Sequence, residues 1–272
     1  MMHKLARQIR FSINPFLKER PDGFNSYASR PCGQGFALYF SLWVELVGPV
    51  DADTGFVVNV VEIDRQVRAV VAPIFAERIG AAFRAGKHLS LSDVAAILQE
   101  TFTQLEGRFG SLCVSRLSLD LSPLRRLAFD PEERRVFYFS EKFEFAATHT
   151  LWNDKYSEAK NLEVFGKCCN PAGHGHNYIV QVTVKRPMSR EELDIGEFEK
   201  IVSEELISCV DHKNLNVQVP EFGRMNPTVE NIARFAWEKL EGKFTYSTLS
   251  SITVWENDRT LCTYCGHQGD VL

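Results

Sequence analysis

Apolar and polar positions alternate with a period of two over residues 36–48, 56–61 and 112–121, and again over 136–148, 177–185, 251–255 and 260–264. That spacing predicts strands with one face turned to a core. Between these runs apolar residues recur every three to four positions, over 62–86, over about 92–107, over about 194–209 and from Asn226-Pro227 to about 240. That spacing predicts helices. Ser90 or Ser92 is placed to cap the second of them, and Pro227 suits the first turn of the last. The order strand pair, helix, helix, strand pair is therefore written twice. With the halves laid together, Ser115-Arg116-Leu117-Ser118-Leu119-Asp120-Leu121 falls opposite Ser250-Ser251-Ile252-Thr253-Val254-Trp255-Glu256, and Gly33-Gln34-Gly35-Phe36 opposite Gly173-His174-Gly175-His176. The period is far longer than a solenoid repeat. An α+β chain of two tandem domains is expected, 1–130 and 131–272, joined near Asp130-Pro131-Glu132-Glu133.

Length and composition fit this picture: 272 residues with 44% hydrophobic and 24% charged positions suffice for two globular domains. A formal net charge of −4 with scattered basic residues points away from nucleic acid and from an anionic membrane surface. No apolar run approaches the roughly 20 residues that span a bilayer, and residues 1–11 lack a signal-peptide core, so a cytoplasmic protein is expected. Seven cysteines, an odd number, read as reduced thiols rather than a disulfide framework. Cys262-Thr263-Tyr264-Cys265, with His267 beyond, has redox or zinc spacing but no second cysteine pair, so ordinary thiols are expected there. Cys32 is expected to be inert, and His3 and His88 to lie on the surface.

The chemistry gathers in residues 165–178, where five residues separate Cys168 from His174-Gly175-His176. Residues two apart in a strand point to one face, so His174 and His176 would aim both imidazoles into one site. A third histidine from a neighbouring strand would complete an open zinc site beside a thiol. The first half carries Gln34 and Phe36 in place of the paired histidines and cannot build the same centre.

Residues 136–272 resemble the 6-pyruvoyl-tetrahydropterin synthase family. The match lies in Phe143-Glu144-Phe145-Ala146-Ala147-Thr148-His149, the 165–178 run, Asp211-His212-Lys213-Asn214-Leu215, Thr228-Val229-Glu230-Asn231 and Val254-Trp255-Glu256. The first half resembles a degenerate copy of the same tunnelling fold, keeping a turn and strand at residues 51–59 that the second half replaces with residues 188–196. The resemblance implies two tunnelling-fold domains, each an antiparallel four-stranded sheet with two helices on one face, assembling into a barrel. It implies conversion of 7,8-dihydroneopterin triphosphate to 6-pyruvoyl-tetrahydropterin with loss of triphosphate. His149, His174 and His176 would hold Zn²⁺, whose Lewis acidity makes the adjacent C–H bond acidic. Cys168 would be the base, with Asp211 and His212 completing a relay. Glu256 would accept hydrogen bonds from the pterin, with Thr228 and Glu230 lining its pocket.

Some readings stay open at this point. Cys169 adjoins Cys168, and in a strand-like segment only one would face the metal; the five-residue gap favours Cys168. Glu256 could face solvent, and Glu230 could simply favour the dipole of its helix. Val229 stands where family members often carry a second threonine. The cysteine spacing favours the pyruvoyl reaction over its alternatives, 6-carboxytetrahydropterin formation and dihydroneopterin side-chain cleavage. A non-catalytic pterin-binding or assembly protein is the alternative outside enzymes. Lys167 and Lys213 are candidates for holding the triphosphate. Six tunnelling-fold units imply a homotrimer of this chain, or a homohexamer of chains. Family active sites form between subunits, so the second halves are expected to touch one another in a threefold ring, with the first halves as a partner ring.

Overall fold

A computed structural model describes residues 2–16, 37–188 and 193–266; Cys32, Gly33-Gln34-Gly35-Phe36 and His267 lie outside the described residues. Its first strand, β1 (Met2–Ile13), was not expected: it pairs antiparallel with β2 (Leu38–Pro49), from Met2↔Pro49 to Ile13↔Leu38. It buries Ile9, Phe11 and Ile13. The expected strand at 56–61 is absent. Asp51 instead closes a turn, accepting hydrogen bonds from the Thr54 amide and hydroxyl at 2.8 Å, and Asn59 caps a helix by accepting from the Val61 amide at 3.0 Å. The valines at 60 and 61 therefore open α1 (Val60–Arg84) rather than end a strand.

α2 (Leu91–Leu105) begins at Ser90, which with Asp93 forms a reciprocal capping box. β3 (Cys113–Asp120) and β4 (Arg125–Phe129) complete this part in the order β1-β2-β3-β4. α1 buries Ile63, Val67, Val71, Phe75 and Ile79, a single stripe at helical spacing. Phe75 meets Phe11 edge-on at 5.4 Å, which ties the helix to the sheet.

The remaining elements are β5 (Val136–His149), α3 (Glu158–Phe165), β6 (His174–Pro187), α4 (Ile195–Val202), α5 (Ser208–Val210), β7 (Lys213–Asn214), α6 (Leu215–Gln218), α7 (Val229–Leu240), β8 (Thr248–Asn257) and β9 (Thr260–Tyr264). Their strands run β5-β6-β8-β9, with β7 added parallel to β5 through Ala147↔Lys213 and Thr148↔Asn214. The helix expected over 194–209 is two pieces, α4 and α5, parted by a π-type turn at Ser203–Ile207. α7 starts later than expected: Thr228 is its cap and Pro227 lies outside the first turn. It buries Ile232, Phe235, Trp237 and Leu240, each contributing about 1.5–3 kcal/mol.

By contact density the chain divides into two compact units, Met1–Phe139 with Arg186–Leu193, and Ser140–Lys185 with Asp194–Leu272. Among the described residues the strand order in each is open, not closed on itself. No described helix is long and apolar enough to cross a membrane.

Candidate functional site

The alternation of β5 turns Phe145, Ala147 and His149 into the second unit and leaves Glu144 and Thr148 exposed. On β6 the same parity carries His174, His176 and the fully buried Tyr178. Gly173 makes the close approach possible. Its φ of +73° belongs to glycine, and a Cβ there would lie 3.2 Å from the His149 carbonyl oxygen.

The three imidazoles meet as expected. His149 Nε2 is 3.0 Å from His174 Nε2, and one nitrogen from each of the three rings lies within 4.8 Å of the others. His149 is 1% exposed. Its Nδ1 sits 2.7 Å from the Pro227 carbonyl oxygen, which can only accept, so Nδ1 carries the proton and Nε2 presents a lone pair to the cluster. Nδ1 of His174 and Nε2 of His176 are buried without a hydrogen-bond partner. Burial holds His149 below the usual histidine range, opposed by the Pro227 carbonyl and reinforced by the neighbouring imidazoles. Burial, then the charge of His176, lowers His174 as well. The inward lone pair of His149 and the two buried nitrogens without partners form a donor set that suits a zinc ion.

Glu256 lies one residue past the Ile179↔Trp255 pair, on the parity of Ile252 and Val254. Its Oε1 stands 3.7 Å from His149 Nε2 and 3.6 Å from His176 Nε2. The carboxylate is therefore at the cluster and does not face open solvent.

Cys168 and Cys169 occupy a 3-10 turn, Gly166–Cys169, not the strand-like segment expected. Cys169 is buried and donates its thiol to the Gly166 carbonyl at 3.0 Å, whereas Cys168 makes no such bond. Burial raises the Cys168 thiol above its ordinary value, and the charges of Glu256 and Cys169 add to this.

The Asp211–His212 pair forms but does not join the cluster. Asp211 Oδ2 is 2.8 Å from His212 Nδ1, and its Oδ1 accepts from the Ala146 amide at 2.9 Å. Those bonds, the Ala146 amide first, hold the Asp211 carboxyl below the usual range. His212 has a φ of 56°, uncommon for a residue with a Cβ, and its side chain is 83% exposed. With Thr148, Gly175 and Asn177, and with His176 of the imidazole cluster, it lines a cavity of about 550 Å³.

Thr228 and Glu230 take helix roles in the structure. Thr228 accepts from the Asn231 amide at 3.4 Å, and Glu230 is exposed in the first turn of α7.

Several asparagines that brace the site were missed in the sequence. Asn216 exchanges two hydrogen bonds with the backbone of Thr150, at 2.8 and 2.9 Å, directly after His149. Asn161, fully buried, receives the Asn153 amide at 2.8 Å and donates to the Asn153 carbonyl at 3.0 Å. Buried asparagines must find partners, but in a sequence they read as turn formers.

Fold and site together define a class: an α+β unit with an antiparallel sheet and a three-imidazole centre open to a ligand. Residues 138–267 match the family model described as 6-pyruvoyl tetrahydropterin synthase. Human 6-pyruvoyl tetrahydrobiopterin synthase is 36% identical over 130 residues, 47% of this chain and 90% of that protein. The Drosophila melanogaster protein of the same name is 33% identical over 138 residues, 49% of this chain and 82% of its own length. Among solved structures, Caenorhabditis elegans 6-pyruvoyl tetrahydropterin synthase is 34% identical, covering 48% of this chain and 96% of that one, with a TM-score of 0.45. The chain belongs to the 6-pyruvoyl tetrahydropterin synthase family, a family of lyases of pterin biosynthesis.

Proposed function

We propose that the second unit converts 7,8-dihydroneopterin triphosphate to 6-pyruvoyl-tetrahydropterin, eliminating triphosphate. The observation that carries this reading is the convergence of His149, His174 and His176, with one lone pair already oriented and two nitrogens buried without a partner. These residues would hold Zn²⁺. When bound, the ion supplies Lewis acidity to the substrate's side-chain oxygens and lowers the pKa of groups beside it.

Each residue then has a task. Cys168 Sγ takes a proton from the substrate side chain; its thiol, raised by burial, needs a neighbouring cation to ionise near neutrality. Cys169, committed to the Gly166 carbonyl, stays out of the reaction. Glu256 accepts hydrogen bonds from the pterin ring, close enough to the imidazoles for ring and side chain to be held together. Thr228 and Glu230 at the start of α7 line the pterin pocket. His212, oriented by Asp211, completes the proton relay.

The exposure of His212 favours a site shared between subunits, with the Asp211–His212 pair serving a neighbour's Cys168. Tandem duplication is supported by the strand orders β1-β2-β3-β4 and β5-β6-β8-β9. It is also supported by the register shifts at Glu45/Leu46 and Thr183/Val184, which leave Ser115 and Ser250 as the extra residues. Those serines are the two that the sequence lays opposite each other. The first unit is then scaffold, and three chains supply six tunnelling-fold units whose edge strands close a barrel, as a homotrimer or its homohexameric double.

Changing Cys168→Ala tests the assignment: triphosphate release should fall by about 10²-fold or more while zinc and pterin still bind. Undiminished release would remove Cys168 from the mechanism.

A further inference from the structure

Turn 226–228 is held by more bonds than its position before a helix requires. The Asn226 carbonyl accepts both the Thr228 amide at 2.9 Å and the side-chain amide of Asn231 at 2.8 Å. The Asn226 side chain in turn accepts the Trp152 amide at 2.9 Å, three residues beyond His149. Asn231 also gives its own backbone amide to the Thr228 hydroxyl. Between these ties stands Pro227, a residue without an amide hydrogen, whose carbonyl meets His149 Nδ1 at 2.7 Å. Asn231 thus crosses from the first turn of α7 back to the turn and fixes where that carbonyl points.

We propose that Asn231 is a positioning residue for the metal centre, locking turn 226–228 so that the Pro227 carbonyl holds His149 in the tautomer that offers Nε2 to the ion. This rests on the reading of the three histidines as a zinc site. It gives the Thr228–Asn231 segment a task besides pterin binding: α7 orders one of the metal ligands. Outer partners of this kind typically change metal affinity about 10–100-fold. Asn231 acts through one further group, so the low end, about tenfold, is expected.

The test uses the full chain. Zinc affinity is measured by competition with a chromophoric chelator, and the His149 tautomer by long-range ¹H–¹⁵N NMR on the metal-free protein. Asn231→Ala, and the near-isosteric Asn231→Asp should the first fail to fold, are expected to weaken zinc binding about tenfold and to mix the His149 tautomers. Arg234→Ala, which removes a helix contact to Glu238 on the same helix, should change neither. Asn231 variants with zinc affinity within about twofold of the parent and an unmixed tautomer would overturn the proposal. A parent chain that bound no zinc would overturn the metal reading instead, and the metal-free tautomer would still decide the role of Asn231.

Discussion

Acidifying the metal-free protein should cost stability in a window set by His149. The ring is 1% exposed, and burial lowers its pKa, with the His174 and His176 charges acting the same way against the Pro227 carbonyl and Glu256. In the unfolded chain the same ring takes a proton near pH 6.5. From there down to its folded value the unfolded state binds the extra proton, so stability rises with pH and is lost as pH falls. One proton corresponds to about 1.4 kcal/mol per pH unit. His174, lowered for the same reason but less enclosed, adds a smaller, solvent-screened share. Because the unfolded ring is only half protonated at the upper end, a drop from about pH 6.5 to 5.5 removes at most about 1 kcal/mol through His149, against a typical margin of about 5–15 kcal/mol. The carboxylates with depressed values, Asp211 and Glu45 among them, lose their contribution only at lower pH. The assay is urea unfolding of metal-free protein across about pH 5–8, for the parent chain and for His149→Gln. The variant should lose a fraction of a proton from the slope near pH 6.5, rising towards at most one as pH falls. Equal slopes would refute the claim that a buried neutral imidazole stands at the centre.

Other outcomes follow from the same geometry. Alkylation of the metal-free protein, mapped by peptide mass, should modify Cys168 only as pH passes the ordinary thiol range, because burial, Glu256 and Cys169 all raise it; rapid modification at neutral pH would contradict this. Cys169→Ala should keep turnover within about threefold, since its thiol serves only the Gly166 carbonyl, whereas loss comparable to that of Cys168→Ala would exchange their roles. Mixed oligomers of Cys168→Ala and His212→Ala chains, each inactive alone, should recover up to about one quarter of parent activity by random pairing across subunits. No recovery in verified mixed oligomers would place the whole site within one chain.

The histidine cluster could be read from sequence because it needs only strand parity: His174 and His176 are two apart, and His149 ends a strand of matching alternation. Asp211–His212 was recognisable as a pair, but its placement depends on β7 joining β5, and a two-residue strand leaves no periodic trace. β1 was missed for a different reason: its polar positions, Arg7, Gln8 and Arg10, dilute the apolar run, and pairing with β2 supplies what the local pattern lacks. At 56–61 local capping chemistry prevailed, with Asn59 starting a helix where the run of valines suggested a strand. The brace of Asn161, Asn216, Asn226 and Asn231 was hidden because asparagine in a sequence signals turns, and only long-range bonds show which backbone it holds.

Mass spectrometry of the products that the zinc-loaded chain forms from 7,8-dihydroneopterin triphosphate tests the central claim most directly. Release of triphosphate with a 6-pyruvoyl product is the predicted result. A 6-carboxy or hydroxymethyl pterin would contradict the proposed reaction, and unchanged substrate with zinc bound at His149, His174 and His176 would contradict catalysis altogether.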